Sequence, residues 1–180
     1  NTLSGNFVVK AVDPYGVAAS GQSVTFKVKQ GGGTFENQLP EITKQTDAQG
    51  LAQAKLTLGT LAGDSAHVVH AIAKRSDLPD QDLDGSPVMF KATGLPKAPA
   101  KLVKIDSTDN QSAKVGFPLA DPIQVKVTDE HFNPIKNHPV TYKVLEQGGE
   151  LEDASGKATA KVVTTNSKDI ASVIWDMPSN

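Results

Sequence analysis

The amino-acid sequence predicts an all-β fold of two tandem β-sandwiches, and three observations lead to this prediction. Apolar and polar residues alternate along many short segments, as in strands that bury one face. Glycine, proline and aspartate separate these segments, and no segment shows a sustained helical period with caps. Residues 24–35 return at 140–151 without a gap, so the chain carries an internal repeat. Two alternating faces need cover, and two sheets packed face to face supply it.

The repeat has an offset of 116 residues (140 − 24). Residues 24–28 read VTFKV and residues 140–144 read VTYKV, and a glycine-rich segment follows each. Glycine permits a positive φ, or a close approach of another backbone, at the end of a strand. We expect turns at Gly32, Gly50 and Gly149. We expect core positions at Val24, Phe26, Val28, Val140, Tyr142, Val144 and Trp175.

The first unit opens with a predicted strand at 7–12, which ends at the turn sequence Asp13-Pro14-Tyr15-Gly16. Further strands are predicted at 24–30, 52–58, 66–73 and 88–92. Residues 94–99 contain two prolines and a glycine, which predicts a short, stiff linker. We place the domain boundary in this linker, giving units at 1–95 and 96–180.

The second unit has predicted strands at 101–105, 123–127, 140–144 and 171–177. Its last strand matches the first unit at an offset of 119 (165 − 46), so its preceding loop holds three extra residues. The strand at 101–105 has no counterpart in the first unit, and those at 66–73 and 88–92 have none in the second. We therefore expect the first sandwich to lack its first strand. The second is expected to lack its last strands, or to receive them from a neighbour.

Composition narrows the function. The formal net charge is −2 and no run of Lys or Arg is present, so neither nucleic acid nor an anionic membrane is an expected partner. The chain has no cysteine, which excludes thiolate chemistry and disulfides. No apolar run approaches the ~18 residues of a membrane span, so direct membrane insertion is not expected. No nucleophile elbow, phosphate-binding loop or Ser/His/Asp set is recognisable, and we do not expect an enzyme.

These motifs resemble those of bacterial immunoglobulin-like domains of the invasin/intimin type (group 1). The resemblance covers nearly the whole chain and rests on the segments 24–26 (VTF), 31–33 (GGG), 46–47 (TD), 50–52 (GLA) and 58–59 (LG). The second unit departs from the pattern at Asn166, Asp169 and Met177-Pro178. The resemblance implies immunoglobulin-like sandwiches in rows on secreted or surface-anchored bacterial proteins, where they serve as stalk, adhesin or partner-binding surface without catalysis.

An acidic loop is the strongest candidate for binding chemistry. Asp80, Asp82, Asp84 and Gly85 reproduce the first half of a calcium loop, in which alternate carboxylates converge on a hard cation. The helical flanks are absent, and Lys91 stands where the terminal bidentate Glu belongs. A solvated acidic loop between two strands is the alternative interpretation.

The four histidines offer at most one shared metal site, because only His131 and His138 could approach each other, with Asp129 as a conceivable third ligand. His67 and His70 lie three positions apart on a strand and therefore face opposite sides. His131 and His138 flank one turn near Asp129, but their spacing matches no known ligand pattern, and we interpret them as solvated turn residues.

Three functions remain open at this stage. The first is a non-enzymatic structural or adhesive module of a bacterial cell-surface or secreted protein, whose partner is a protein or a neighbouring immunoglobulin-like domain. The second is a subunit of an extracellular filament, a homopolymer assembled by strand exchange. The third is an accessory binding domain of a secreted enzyme, which would need exposed aromatics on one face; Tyr15 and Phe132 are the main candidates.

Overall fold

The computed structural model describes residues 2–146 and 148–179, so Gln147, inside the second copy of the repeat, lies outside the described residues. The prediction of an all-β fold is confirmed: within these ranges the chain forms strands and one short 3-10 helix, Asp106–Thr108. The strands are β1 (Phe7–Lys10), β2 (Ser23–Gln30), β3 (Gly33–Phe35), β4 (Glu41–Gln45), β5 (Leu51–Ala54), β6 (Leu56–Leu58), β7 (Gly63–Ala73), β8 (Val88–Gly94), β9 (Lys101–Lys104), β10 (Ile123–Thr128), β11 (Pro139–Lys143), β12 (Glu150–Asp153), β13 (Gly156–Ala158), β14 (Ala160–Thr164) and β15 (Ile170–Asp176). Two compact units contain them, Asn1–Leu95 and Pro96–Asn180.

Two layers of antiparallel strands make up the first unit. One layer is a four-stranded sheet in the order β4-β2-β7-β8. The other layer consists of two strand pairs, β1 with β5 and β3 with β6. Strands β5 and β6 are consecutive in the chain and are separated only by Lys55. The two layers face each other across the core, which is the sandwich arrangement.

Alternate residues of both layers fill this core. Phe26 of β2 and Leu56 of β6 are both 0% exposed, and the ring of Phe35 lies 6.3 Å from that of Phe26. The remaining buried members follow the predicted alternation: Val24, Ala52, Ala54, Val69 and Ala71. Because every second residue of these strands is apolar, one face of each sheet is removed from water while the other stays solvated.

The second unit has one complete layer and one narrow layer. Its five-stranded sheet has the order β13-β12-β15-β10-β9, and it faces a two-stranded sheet of β11 and β14. The core is correspondingly smaller: Val127, Ile135, Val140 and Ala171 are its buried members, with Val125, Tyr142 and Val163 packed against it.

Two core predictions need correction in this unit. Val144 is only half-buried, because β11 ends at Lys143, and it is not among the described residues that form the second core. Trp175 is also half-buried, whereas Leu56, at the matching position in the first unit, is fully buried. The sheet that faces the five-stranded sheet carrying Trp175 has only two described strands, β11 and β14, so it covers less of that sheet.

The same turn follows the first matched strand of each unit. The Asp13 Oδ1 atom accepts hydrogen bonds from the N–H groups of Tyr15 and Val17, each at 2.9 Å. Asp129 Oδ1 accepts from His131 and Asn133 at the same distances, 116 positions later. An aspartate that binds the backbone two and four residues ahead closes the turn by itself, so these hydrogen bonds fix where the strand ends.

A threonine ties this turn to the next strand in both units. The Thr46 hydroxyl donates to the carbonyl O of Ala19 and accepts from the N–H of Gln22. Thr165 does the same with Ile135 and with His138. The two threonines are 4% and 1% exposed, so each satisfies backbone groups that water does not reach.

Glycines at the repeated strand ends allow close backbone packing. Gly33 has φ +115, and a Cβ there would lie 2.5 Å from the carbonyl O of Thr57. Gly149 has φ +93, and a Cβ there would lie 2.5 Å from the carbonyl O of Asp176. The positive φ and the lack of space therefore exclude a larger residue at both positions. The glycine-rich segment forms a turn and also lets another strand's backbone pack closely against it.

Candidate functional site

The acidic loop connects β7 to β8 and is held by pairing across its own base. Lys74 Nζ lies 2.7 Å from Asp82 Oδ1, and Arg75 binds Asp77 at 2.8 Å. Backbone hydrogen bonds join Arg75 N–H to the carbonyl O of Gln81 and extend the hairpin. The segment thus extends the hairpin of β7 and β8. Of the predicted calcium ligands, Asp82 is paired with the ammonium group of Lys74.

The structure does not bring the predicted calcium ligands together. Among the residues it describes, no group of three or more His, Asp or Glu side chains is close enough to hold a metal ion. A calcium site at Asp80, Asp82 and Asp84 stays a prediction, and at Asp82 the ion would compete with the Lys74 ammonium group. Gly85 has φ +81, the backbone conformation expected of a glycine in such a turn.

His67 is a core residue that sequence patterning did not identify. It is 1% exposed, and its ring nitrogens lie 2.8 Å from the carbonyl O of Leu61 and 3.3 Å from that of Gly32. A bulge precedes it, since the register between β7 and β8 shifts between Gly63 and His67. The ring thus anchors the glycine-rich segment, a structural role that the strand alternation alone could not reveal.

Asp129 is the most heavily hydrogen-bonded carboxylate among the described residues. Besides the two turn N–H groups, its Oδ2 atom accepts from the side chain of Asn133 at 2.8 Å and from the N–H of Lys97 at 3.0 Å. Burial alone would raise the pKa of Asp129, but the hydrogen bonds from Asn133, Lys97 and His131 lower it below its usual value. The Asp129 carboxylate is therefore occupied by three backbone N–H groups and one side-chain amide. The ring of His131 does not add to them, since its Nε2 atom lies 3.2 Å from Glu130 Oε1.

A buried lysine replaces a core residue in the second unit. Lys161 is 9% exposed and stands at the position of Ile42 in the first unit. Its Nζ atom donates to Asp153 Oδ1 and to Ser155 Oγ, both at 2.9 Å. Hydrogen bonds from Ser155 and then Lys161 lower the pKa of Asp153 to about 2. The offset of 119 residues aligns Lys161 with Ile42, so the sequence already contains the signal for this exchange of an apolar for a charged residue.

Aromatic residues are exposed at the repeated turn. Tyr15 is 92% exposed and Phe132 is 67% exposed. Lys101 Nζ lies 3.3 Å from the centroid of the Phe132 ring, a cation–π contact within the second unit. Each unit has one such aromatic at this turn, and neither forms an aromatic stripe along a sheet face.

The open side of the second sandwich lies along β11. In the first unit β2 pairs with both β4 and β7, but among the described strands β11 pairs only with β14. The Nε1 atom of Trp175 is buried without a hydrogen-bond partner in the described part of the chain.

Comparison with known proteins returns bacterial adhesins. No protein-family model matches the sequence, and no curated protein matches it. Among solved structures, the chain is similar to the D0-D1 domain of intimin, with 18% identity, 97% of this chain and 76% of that chain covered, and a TM-score of 0.33. It is similar to invasin, a bacterial integrin-binding protein, with 17% identity, 97% and 30% covered, and a TM-score of 0.37. It is also similar to the adhesin InvE of Yersinia pseudotuberculosis, with 20% identity, 100% and 47% covered, and a TM-score of 0.36.

These are the proteins that the sequence motifs resemble. With TM-scores below 0.5, the fold is argued from the strands and cores described above and not from these likenesses. No helix among the described residues is long and apolar enough to cross a membrane.

Proposed function

We propose that this chain is a non-enzymatic structural and adhesive module of a bacterial cell-surface or secreted protein. One observation carries the proposal: the same strand, aspartate turn and threonine tie occur twice, 116 to 119 positions apart, in two sandwich units. Repeated folding units with the same buried hydrogen bonds build an extended protein surface. Such a surface suits a stalk or a binding module better than an enzyme, which needs a catalytic cleft.

The proposed partner is a protein, either a receptor or a neighbouring immunoglobulin-like domain. A net charge of −2 offers no general attraction for nucleic acid. The exposed aromatics of the repeated turns, Tyr15 and Phe132, are residue types that protein interfaces favour.

Surface labelling of the bacterium that makes the protein tests this proposal. Antibodies raised against the purified chain should label intact cells, or the culture medium should contain the antigen. A cytoplasmic marker should become accessible only after permeabilisation. Label that appears only together with this marker would contradict a surface or secreted location.

A second function, a filament subunit assembled by strand exchange, is favoured by strand β11, which among the described strands pairs only with β14. Light scattering of the purified chain over a hundredfold range of concentration tests it. Growth of the mass with concentration supports exchange between chains. A single discrete mass over the whole range contradicts it.

A further inference from the structure

The outer face of the four-stranded sheet in the first unit carries an excess of positive charge. Val24, Phe26, Val69 and Ala71 belong to the core, so the residues that alternate with them on β2 and β7 point away from it. We call the outward residues within 23–30, 41–45, 68–74 and 88–91 the basic face. Its formally charged members are four lysines and one glutamate: Lys27, Lys29, Lys74, Lys91 and Glu41. Strands that add to a sandwich pair with the edges of its sheets, so they would leave this face open.

Strand pairing brings these charges into neighbouring rows. Lys27 lies opposite Glu41 of β4 on one side and opposite His70 of β7 on the other. Lys91 of β8 stands in the next outward row, and Lys29 is the residue that the bulge of β2 leaves unpaired. The backbones of β2 and β8 are about 10 Å apart, since β7 lies between them. The lysines are therefore spread over the sheet, as binding to an extended partner requires.

Not all of this positive charge is neutralised within the protein. Lys27 Nζ lies 2.8 Å from Glu41 Oε2, and Lys74 Nζ lies 2.7 Å from Asp82 Oδ1. Both ion pairs are largely exposed, so each costs little to open. Lys29 and Lys91 form no ion pair with any residue that the structure describes. Two ammonium groups are thus available at once, and two more become available when weak pairs open.

A cleft of about 470 Å³ on the same face adds neutral polar groups. Hydroxyl, apolar and ammonium side chains line it together: Ser23, Thr25, Lys27, Ile72 and Lys74. The Thr25 hydroxyl lies 2.9 Å from that of Thr43, and Ser23 Oγ accepts from Gln45 Nε2 at 3.0 Å. Each hydroxyl can donate one hydrogen bond and accept two, so these side chains can also bond the hydroxyl groups of a sugar.

We propose that the basic face binds an acidic polysaccharide, a chain of hexoses that carries carboxylate or sulfate groups. Charge complementarity selects an anionic partner, and the hydroxyl-bearing residues beside the lysines suit a polymer that has acidic groups among hydroxyls. Nucleic acid fits less well, because the outward residues include no Phe, Tyr or Trp on which bases could stack. The net charge of −2 does not oppose this binding, since four aspartates within 77–84 offset the lysines of the face. This ligand is additional to the protein partner proposed above.

Fluorescence anisotropy of fluorescein-labelled heparin, titrated with the full chain, tests the proposal. Saturable binding is expected, and it should weaken on the order of tenfold between about 50 and 200 mM salt if about three ammonium groups displace counterions. Unlabelled hyaluronate, which carries only carboxylates, and dextran sulfate, which carries only sulfates, show by competition which acidic group is bound. Absence of saturable binding, competition by neither polymer, or equal competition by neutral dextran would overturn the proposal. Single-stranded DNA that competes as well as heparin at equal charge would overturn it too.

Matched charge variants locate the site. Lys29→Gln combined with Lys91→Gln should weaken heparin binding about tenfold, because two exposed charge contacts are lost. Lys10→Gln combined with Lys55→Gln is the control, since it changes the net charge equally at exposed lysines of the other layer, and affinity should stay within about twofold of the parent. Glu41→Gln should tighten binding by about two- to fivefold, because it removes an acid from the face and releases Lys27. Equal losses in the two lysine pairs would overturn the proposal.

Chemical-shift mapping by NMR locates the ligand on the unaltered chain and does not depend on how well any variant folds. A short heparin oligosaccharide should shift the amide signals of β2, β7 and β8, which carry the basic face, more than those of β1 and β5 in the other layer. Shifts confined to β1 and β5, or to the second unit, would place the ligand elsewhere and overturn the proposal.

Discussion

Replacing Phe26 by alanine should strongly destabilise the first unit. The side chain is 0% exposed and packs against Phe35 at the centre of the first core. A buried phenylalanine removes on the order of 150 Å² or more from water, which at ~25 cal/mol per Å² gives about 4 kcal/mol. The cavity left in a packed core keeps the expected loss of unfolding free energy at about 3–5 kcal/mol. At about 4–8 °C per kcal/mol, the melting temperature of this unit should fall by roughly 15 °C or more.

Chemical denaturation followed by circular dichroism measures this loss, and hydrogen exchange of β2 and β7 assigns it to the first unit. Thr25→Ala is the matched control, because Thr25 faces the other side of β2 and its hydroxyl hydrogen-bonds to that of Thr43, at 2.9 Å. The control should cost less than about 1 kcal/mol. A Phe26→Ala loss no larger than that of the control would refute the repeated-core reasoning.

Further predictions concern the second unit and the acidic loop. Tyr142→Phe should cost about 1 kcal/mol in denaturant unfolding, because the hydroxyl donates to the carbonyl O of Ala171 at 2.7 Å. Asp129→Ala should cost at least about 2 kcal/mol, because four donors lose a charged acceptor; an unchanged denaturation midpoint would contradict this. The lowered pKa of Asp153, about 2 against an ordinary value of 3.8, contributes stability that is present above pH ~4 and lost as pH falls toward 2. Thermal melts from pH 5 to 2 should therefore show Asp153→Asn losing less stability on acidification than the parent. Calcium titration by calorimetry should give heat that disappears in Asp82→Asn if the acidic loop binds calcium, and no heat above buffer would remove that prediction.

Strands with one apolar and one polar face were predictable from the sequence, whereas strands with mostly polar residues on both faces were not. Hydrophobic alternation identified β1, β2, β7 and β8, because their inward positions are apolar and regular. It missed β4, whose only apolar residue is Ile42, and β14, where Lys161 takes the inward position. These strands are specified by pairing to β2 and β11 more than by their own patterning.

The repeat gave the correct place for the three extra residues but not their structure. They fall between Leu151 and Lys161, where the second unit forms the additional hairpin of β12 and β13. The acidic loop was harder, because sequence spacing does not show that Lys74 lies within reach of Asp82. Likewise, the burial of His67 depends on a bulge that follows from tertiary packing.

The single tryptophan lies in the second unit, so its intrinsic fluorescence reports on that unit. Trp175 is half-covered, and its indole N–H is buried without a partner in the described part of the chain. Indole emission moves to shorter wavelength when the ring enters less polar surroundings. Unfolding of the second unit should therefore expose this ring to water and move its emission to longer wavelength, so the stability of this unit can be followed in unmodified material without a dye.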